Sequence, residues 1–62
     1  MYEKYEALKA ERNLTDADVV RETGVASSTL SDWKAGRYTP KADKLLKIAK
    51  LFNVPLEYFL EE

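Results

Sequence analysis

The stretch that decides the fold runs from Val25 to Gly36 and reads Val-Ala-Ser-Ser-Thr-Leu-Ser-Asp-Trp-Lys-Ala-Gly. Its two large apolar residues, Leu30 and Trp33, stand three positions apart, a spacing that places them on one face of a helix. The remaining face carries small or polar side chains: Ser27, Ser28, Ser31, Asp32 and Ala35. Gly36 is placed to end the helix with a left-handed C-cap. The stretch therefore predicts a short helix, about 27–35, with a narrow buried seam and a broad exposed surface.

The residues before this stretch predict a second helix, joined to the first by a tight turn. Thr15 is a favoured N-cap, and Asp18 three positions later completes a variant of the capping box. This helix is expected to end at about Thr23, and Gly24 supplies the turn. Two short helices joined in this way match the helix-turn-helix pattern, which covers about residues 15–36.

Three further helices are predicted from apolar residues that recur every three to four positions. They cover about 2–13, 41–52 and 54–60 and are numbered one, four and five in chain order. The fourth helix has the clearest pattern, with apolar residues at Leu45, Ile48, Ala49 and Phe52. Tyr2, Tyr5 and Tyr58 are expected at the rim of the core, and the fifth helix is expected to bury Leu56 and either Phe59 or Leu60. Because strand periodicity is absent, we predict an all-α fold of five helices in one domain, residues 1–62.

The composition excludes several classes of function. The chain has 62 residues with neither cysteine nor histidine, which removes thiol and imidazole catalysts and Cys/His metal sites. No paired carboxylates or phosphate-binding glycine loop suggest another active site, so we expect no catalytic residue, metal or cofactor. No apolar run approaches the ~20 residues of a membrane span. We expect a cytoplasmic protein with no membrane contact, and the lack of cysteine by itself permits any compartment.

Charge is distributed unevenly along the chain. The formal net charge is −1, which by itself argues against a nucleic-acid partner. Residues 25–50, however, carry six basic and two acidic side chains, a net charge of +4, whereas both flanking segments are acidic. Because this positive block begins at the exposed helix, it indicates an anionic partner there.

The chain also resembles the Cro-type, phage-repressor-like helix-turn-helix family, known as the xenobiotic-response-element family. The resemblance covers about residues 5–60 and rests on the run 14–20, on 45–50, and on the spacing of Gly24, Leu30, Trp33, Gly36 and Pro40. It implies a compact, five-helix, lambda-repressor-like domain that binds double-stranded operator DNA, usually as a dimer. A transcriptional regulator is expected, a phage-like repressor or its N-terminal DNA-binding domain, with the third helix in the major groove. The resemblance also implies a protein encoded by a bacterium or a phage.

The family's base-facing positions fall on the residues that helical geometry already exposes: Ser27, Ser28, Ser31, Asp32 and Ala35. Serine hydroxyls fit several base edges, Ala35 fits a thymine methyl group, and Asp32 can accept from a cytosine amino group although it repels phosphates. Phosphate contacts are expected around the end of the third helix and the following loop, from Thr29, Lys34, Arg37, Tyr38, Thr39 and Lys41.

Three positions depart from the family pattern. Asp16 stands where the family usually has a glutamine that contacts a phosphate, and an ionised aspartate cannot donate that hydrogen bond. Val20, expected with Val19 to face the core, replaces a usual alanine. Ala26 replaces a usual serine cap, which is expected either to cost the third helix about 1 kcal/mol or to move its start to Ser27.

A second hypothesis is a protein-interaction module, antitoxin-like or anti-repressor, that keeps the fold with little DNA binding. The net charge, Asp16 and Asp32 motivate it, together with the aromatic segment 58–60. A positive stripe along the third helix would favour DNA, and an acidic surface there would favour the alternative. In the DNA-binding interpretation a homodimer is expected, with the fifth helix as the candidate contact through Tyr58, Phe59 and Leu60.

Overall fold

The computed structural model describes residues 1–60; Glu61 and Glu62, which end the predicted domain, lie outside the described residues. Five α-helices follow one another: α1 Tyr2–Arg12, α2 Asp16–Thr23, α3 Ser27–Ala35, α4 Ala42–Phe52 and α5 Glu57–Leu60. No strand occurs in residues 1–60. The predicted all-α class and five-helix order are confirmed.

Two helices begin later than predicted. α4 begins at Ala42, since Lys41 has the extended backbone of an N-cap residue, with ψ at 168°. α5 begins at Glu57 instead of Val54. A residue before proline is disfavoured in the helical region, so Val54 cannot readily start a helix that contains Pro55. Residues 55–59 instead form a turn with two i→i+3 hydrogen bonds, from Tyr58 N–H and Phe59 N–H.

The helix ends are well defined. The Thr15 hydroxyl accepts from Asp18 N–H at 3.2 Å, and the Asp18 carboxylate accepts from Thr15 N–H at 2.9 Å, which confirms the predicted capping box. Gly24 and Gly36 end α2 and α3 with φ of 77° and 79°. In this left-handed region glycine carries no steric penalty, whereas most residues do.

One hydrophobic core joins all five helices. Its buried members are Tyr5, Leu8, Val19, Val25, Leu30, Trp33, Leu45, Ile48, Ala49, Phe52 and Phe59. The sequence predicted Tyr5 at the rim of the core, but this prediction is wrong. Tyr5 is 0% exposed and lies inside the core. Its ring centroid lies 5.1 Å from that of Trp33 and 6.1 Å from that of Phe52. Tyr2 and Tyr58 are partly buried, as expected for rim residues.

α3 is attached to this core through its apolar seam. Leu30 and Trp33 are 1% and 4% exposed. The Trp33 ring contacts residues of α1 and α5, with centroid distances of 5.4 Å to Tyr2 and 6.2 Å to Phe59. Because α1 and α5 pack against the apolar side of α3, the opposite side of α3 faces away from the core.

One predicted role needs correction. Phe59 is 0% exposed and packs in the core of its own chain, so it cannot also form the predicted dimer contact. Leu60 in the same helix is 55% exposed. Val20 is partly buried and packs against the core, and Val19 is fully buried, so both residues face the core as predicted.

Candidate nucleic-acid interface

α3 presents two different faces. Opposite the buried seam, Ser27, Ser28, Ser31 and Ala35 are exposed, and Asp32 is partly exposed. Thr29 is partly buried at the flank of the helix. The outward face thus lacks large side chains, so a partner surface could approach its backbone closely. The predicted base-facing residues therefore form one contiguous helical surface.

The beginning of α3 leaves backbone donors free. Its N-cap, Ala26, makes no side-chain hydrogen bond, and its carbonyl accepts from Thr29 N–H and Leu30 N–H. Within residues 1–60, the N–H groups of Ser27 and Ser28 have no acceptor. Unsatisfied N–H groups at a helix N-terminus, aided by the helix dipole, favour an anion.

The end of α3 folds back on Asp32. The left-handed Gly36 reverses the chain, and Arg37 N–H donates to the Asp32 carbonyl at 2.9 Å. The Arg37 guanidinium also reaches Asp32: Nε and Nη2 donate to Oδ1 at 3.1 and 2.9 Å. A predicted base-facing residue and a predicted phosphate contact are therefore joined to each other.

Cationic and polar side chains surround this helix end. Lys34 lies in its last turn, Arg37, Tyr38 and Thr39 follow it directly, and Lys41 precedes α4; all five are exposed, Tyr38 by 42%. Within the described part of the chain, Lys34 and Lys41 form no ion pair. Their ammonium groups are consequently available to an anionic partner.

The N-terminus of α2 is organised differently from the usual pattern. Asp16 Oδ1 accepts from the Tyr5 hydroxyl at 2.8 Å and from Lys9 Nζ at 2.6 Å. Lys9 also pairs with Glu6 at 2.9 Å. We call Tyr5, Lys9 and Asp16 the α1–α2 cluster. Asp16 is thus engaged inside the chain, and its charge is compensated by a lysine of α1.

The cluster shifts the pKa values of its members. Partial burial raises the pKa of Asp16, but the hydrogen bonds from Lys9 and Tyr5, with the nearby charge of Lys34, outweigh it and lower the pKa. Burial, and then the hydrogen bond to Asp16, raises the pKa of the Tyr5 hydroxyl well above its usual range. Asp16 therefore stays ionised and Tyr5 stays protonated near neutral pH.

One further surface feature is a cleft that lies away from the outward face of α3. A cleft of about 310 Å³ between α2 and α4 is lined by Glu22, Thr23, Lys47, Lys50 and Leu51. Among residues 1–60, no group of three His, Cys, Asp or Glu side chains is placed to hold a metal ion. Over the same residues, no helix is both long and apolar enough to span a membrane.

Sequence reasoning did not anticipate the Asp32–Arg37 pair or the α1–α2 cluster. The first could have been found, because a glycine that ends a helix at position 36 brings residue 37 back over residue 32. The second joins residues on two helices, so no periodicity within one helix indicates it.

The fold and this surface define a small helix-turn-helix protein, in which α2 and α3 form the motif. Residues 2–62 match the helix-turn-helix domain family, and the chain belongs to it. It is 35% identical, over 57 residues, to an uncharacterized HTH-type transcriptional regulator of Methanocaldococcus jannaschii, covering 92% of this chain and 86% of that protein. No solved structure matches the chain significantly.

Proposed function

We propose that this chain is a sequence-specific DNA-binding transcriptional regulator that places α3 in the major groove. The observation that carries the proposal is the outward face of α3, which combines exposed small side chains with unpaired cations at its end. An α-helix fits the major groove, where small polar residues reach base edges. The family and the description of the archaeal relative as a transcriptional regulator support the same function.

The proposed contacts divide into two groups. Ser27, Ser28, Ser31, Asp32 and Ala35 face the bases, and Thr29, Lys34, Arg37, Tyr38, Thr39 and Lys41 contact phosphates. Within the class of transcriptional regulators, the proposed role is that of a phage-like repressor or its N-terminal DNA-binding domain, without catalytic activity. The protein would bind its operator DNA in the cytoplasm. Two copies would read half-sites about 34 Å apart, with Leu60 and the exposed part of Tyr58 as the candidate contact in α5.

The structural context weakens the protein-interaction alternative. Asp16 and Asp32, the two acidic residues that motivated it, are each paired with a cation of the same chain, Lys9 and Arg37. Neither carboxylate therefore presents an uncompensated charge. Among residues 1–60, Lys34 and Lys41 beside α3 form no ion pair, and two such cations favour a phosphate backbone as the partner.

A salt titration tests this proposal. Fluorescence anisotropy of labelled random duplex would be measured between about 50 and 200 mM salt, where the logarithm of affinity should fall linearly with that of salt concentration. Lys34→Ala and Lys41→Ala should each reduce this slope by about 1 per lost phosphate contact. Lys50→Ala, at the exposed end of α4, is the matched control and should leave the slope unchanged. Salt-independent or undetectable binding would instead favour the protein-interaction module.

A further inference from the structure

The Asp32–Arg37 pair connects the two kinds of predicted DNA contact. Arg37 is fixed to Asp32 twice, by its backbone N–H at 2.9 Å and by its guanidinium on Oδ1. The backbone hydrogen bond positions the Cα atom of Arg37, and the two side-chain hydrogen bonds position its guanidinium group. An arginine fork that donates twice to one carboxylate holds that carboxylate more rigidly than a lysine could.

Both partners keep unused hydrogen-bonding capacity. Within residues 1–60, Oδ1 of Asp32 takes both guanidinium bonds, while Oδ2 has no donor. Nη1 of Arg37 likewise has no acceptor in the described part of the chain. The side chains are 42% and 66% exposed, so a ligand can reach both. The pair can therefore accept a hydrogen bond at Asp32 Oδ2 and donate hydrogen bonds from Arg37 Nη1.

The pair also removes the main objection to an aspartate on a DNA-reading surface. A lone carboxylate among phosphates is repelled, and the repulsion acts over about 10 Å at 0.1 M salt. With a guanidinium 2.9 Å away, the local net charge is zero, yet the acceptor Oδ2 persists. An acceptor in the major groove recognises an exposed amino group, such as that on cytosine.

Resting on the proposed function, we propose that Asp32 and Arg37 form one specificity element. Arg37 is a positioning residue that holds Asp32 Oδ2 toward a base carrying an amino group in the major groove, while its own Nη1 donates to a phosphate. Base recognition at this position and backbone contact are thus coupled through a single ion pair.

The test uses a preferred duplex selected from a random pool by the full chain. Affinities would be measured for this duplex and for versions in which each base pair is replaced in turn. Asp32→Ala should reduce discrimination at one base pair about tenfold, the order expected for a lost base contact. That base pair should present an amino group, and binding to unrelated duplex should not weaken.

Arg37 variants separate positioning from simple charge. Arg37→Lys should keep the affinity for unrelated duplex but lose discrimination at the same base pair, because a lysine lacks the fork. Arg37→Ala should lose both, and adding Asp32→Ala to it should cost no further discrimination. Arg21, equally exposed at 66%, pairs with Asp18 at 2.9 Å and with Glu22 at 3.4 Å, and this surface cluster supplies matched controls. Arg21→Ala and Glu22→Ala should leave the discrimination profile intact.

Three results would overturn the inference: an unchanged discrimination profile in Asp32→Ala, a uniform loss across all sequences in Arg37→Ala, or retained discrimination in Arg37→Lys. Each of these leaves the wild-type chain bound to DNA and so leaves the proposed function standing. A wild-type chain that selects no duplex would instead refute the proposed function and this inference together.

Discussion

Replacement of Asp16 by alanine should destabilise the fold by about 2 kcal/mol, because a buried hydroxyl then lacks its acceptor. Tyr5 is 0% exposed, and Asp16 accepts its hydroxyl hydrogen at 2.8 Å. Leaving a buried donor unsatisfied costs about 1–3 kcal/mol. The lost Lys9–Asp16 ion pair adds little, since Lys9 keeps its pair with Glu6 and the Asp16 side chain is 45% exposed.

Tyr5→Phe provides the informative comparison. It removes the same hydrogen bond but leaves no buried group unsatisfied, because the Asp16 carboxylate keeps Lys9 and can reach water. Its expected cost is about 1 kcal/mol, and the double variant Tyr5→Phe/Asp16→Ala should be less than additive. Glu11→Ala is the control, since Glu11 is an exposed carboxylate at the end of α1; it should change stability by less than about 0.5 kcal/mol.

Urea unfolding, followed by far-ultraviolet circular dichroism and by fluorescence of the single Trp33, measures these differences. In thermal unfolding, a loss of about 2 kcal/mol corresponds to a fall in Tm of about 10 °C for a domain of this size. An Asp16→Ala variant within about 0.5 kcal/mol of the parent chain would refute the assigned role of the α1–α2 cluster.

Acid should remove the part of this stabilisation that depends on charge. The pKa of Asp16 is lower in the folded chain than its ordinary value of 3.8. Its contribution is therefore fully present above about pH 4 and is lost as the pH falls through the folded-state pKa. The stability difference between the parent chain and Asp16→Asn should shrink below that pH, and a difference that grows there would contradict the assignment.

Three further substitutions test the elements that support α3. Trp33→Ala should cost about 3–5 kcal/mol, which is comparable with the whole stability expected for a domain this small, so circular dichroism should show a largely unfolded chain. Thr15→Ala should cost about 1 kcal/mol in urea unfolding through loss of the α2 capping box; an unchanged midpoint would show that the cap contributes nothing. Gly36→Ala should cost about 1–2 kcal/mol because of its left-handed φ. A clash would not contribute, since no atom beyond residues 35–37 lies within 4 Å of the added methyl group. Ala35→Gly, in the same helix end, is expected to cost no more than about 1 kcal/mol.

The sequence was most informative where one helix carries its own signal. The bounds of α3 were predicted correctly because Leu30 and Trp33 mark the buried face and Gly36 marks the end. The α2 capping box was likewise local, since Thr15 and Asp18 are three residues apart. Such features depend on contacts between near neighbours and can be seen in the residue order.

Contacts between helices were harder to predict. Tyr5 was expected at the rim of the core, but Asp16 on the next helix accepts its hydroxyl hydrogen and so allows it to be buried. Phe59 and Leu60 are both apolar, and packing against other helices, such as the contact of Phe59 with Trp33, decides which of them is buried. The α1–α2 cluster and the choice between Phe59 and Leu60 depend on tertiary packing, which periodicity within one helix does not encode.

Amide chemical-shift mapping with a selected duplex shows whether the outward face of α3 binds DNA. We expect the largest shifts at Ser27, Ser28, Ser31 and the segment 34–41, with small shifts along α5 unless binding drives dimer formation there. A duplex that leaves the amides of α3 unchanged while shifting those of α5, or that shifts none, would contradict this expectation.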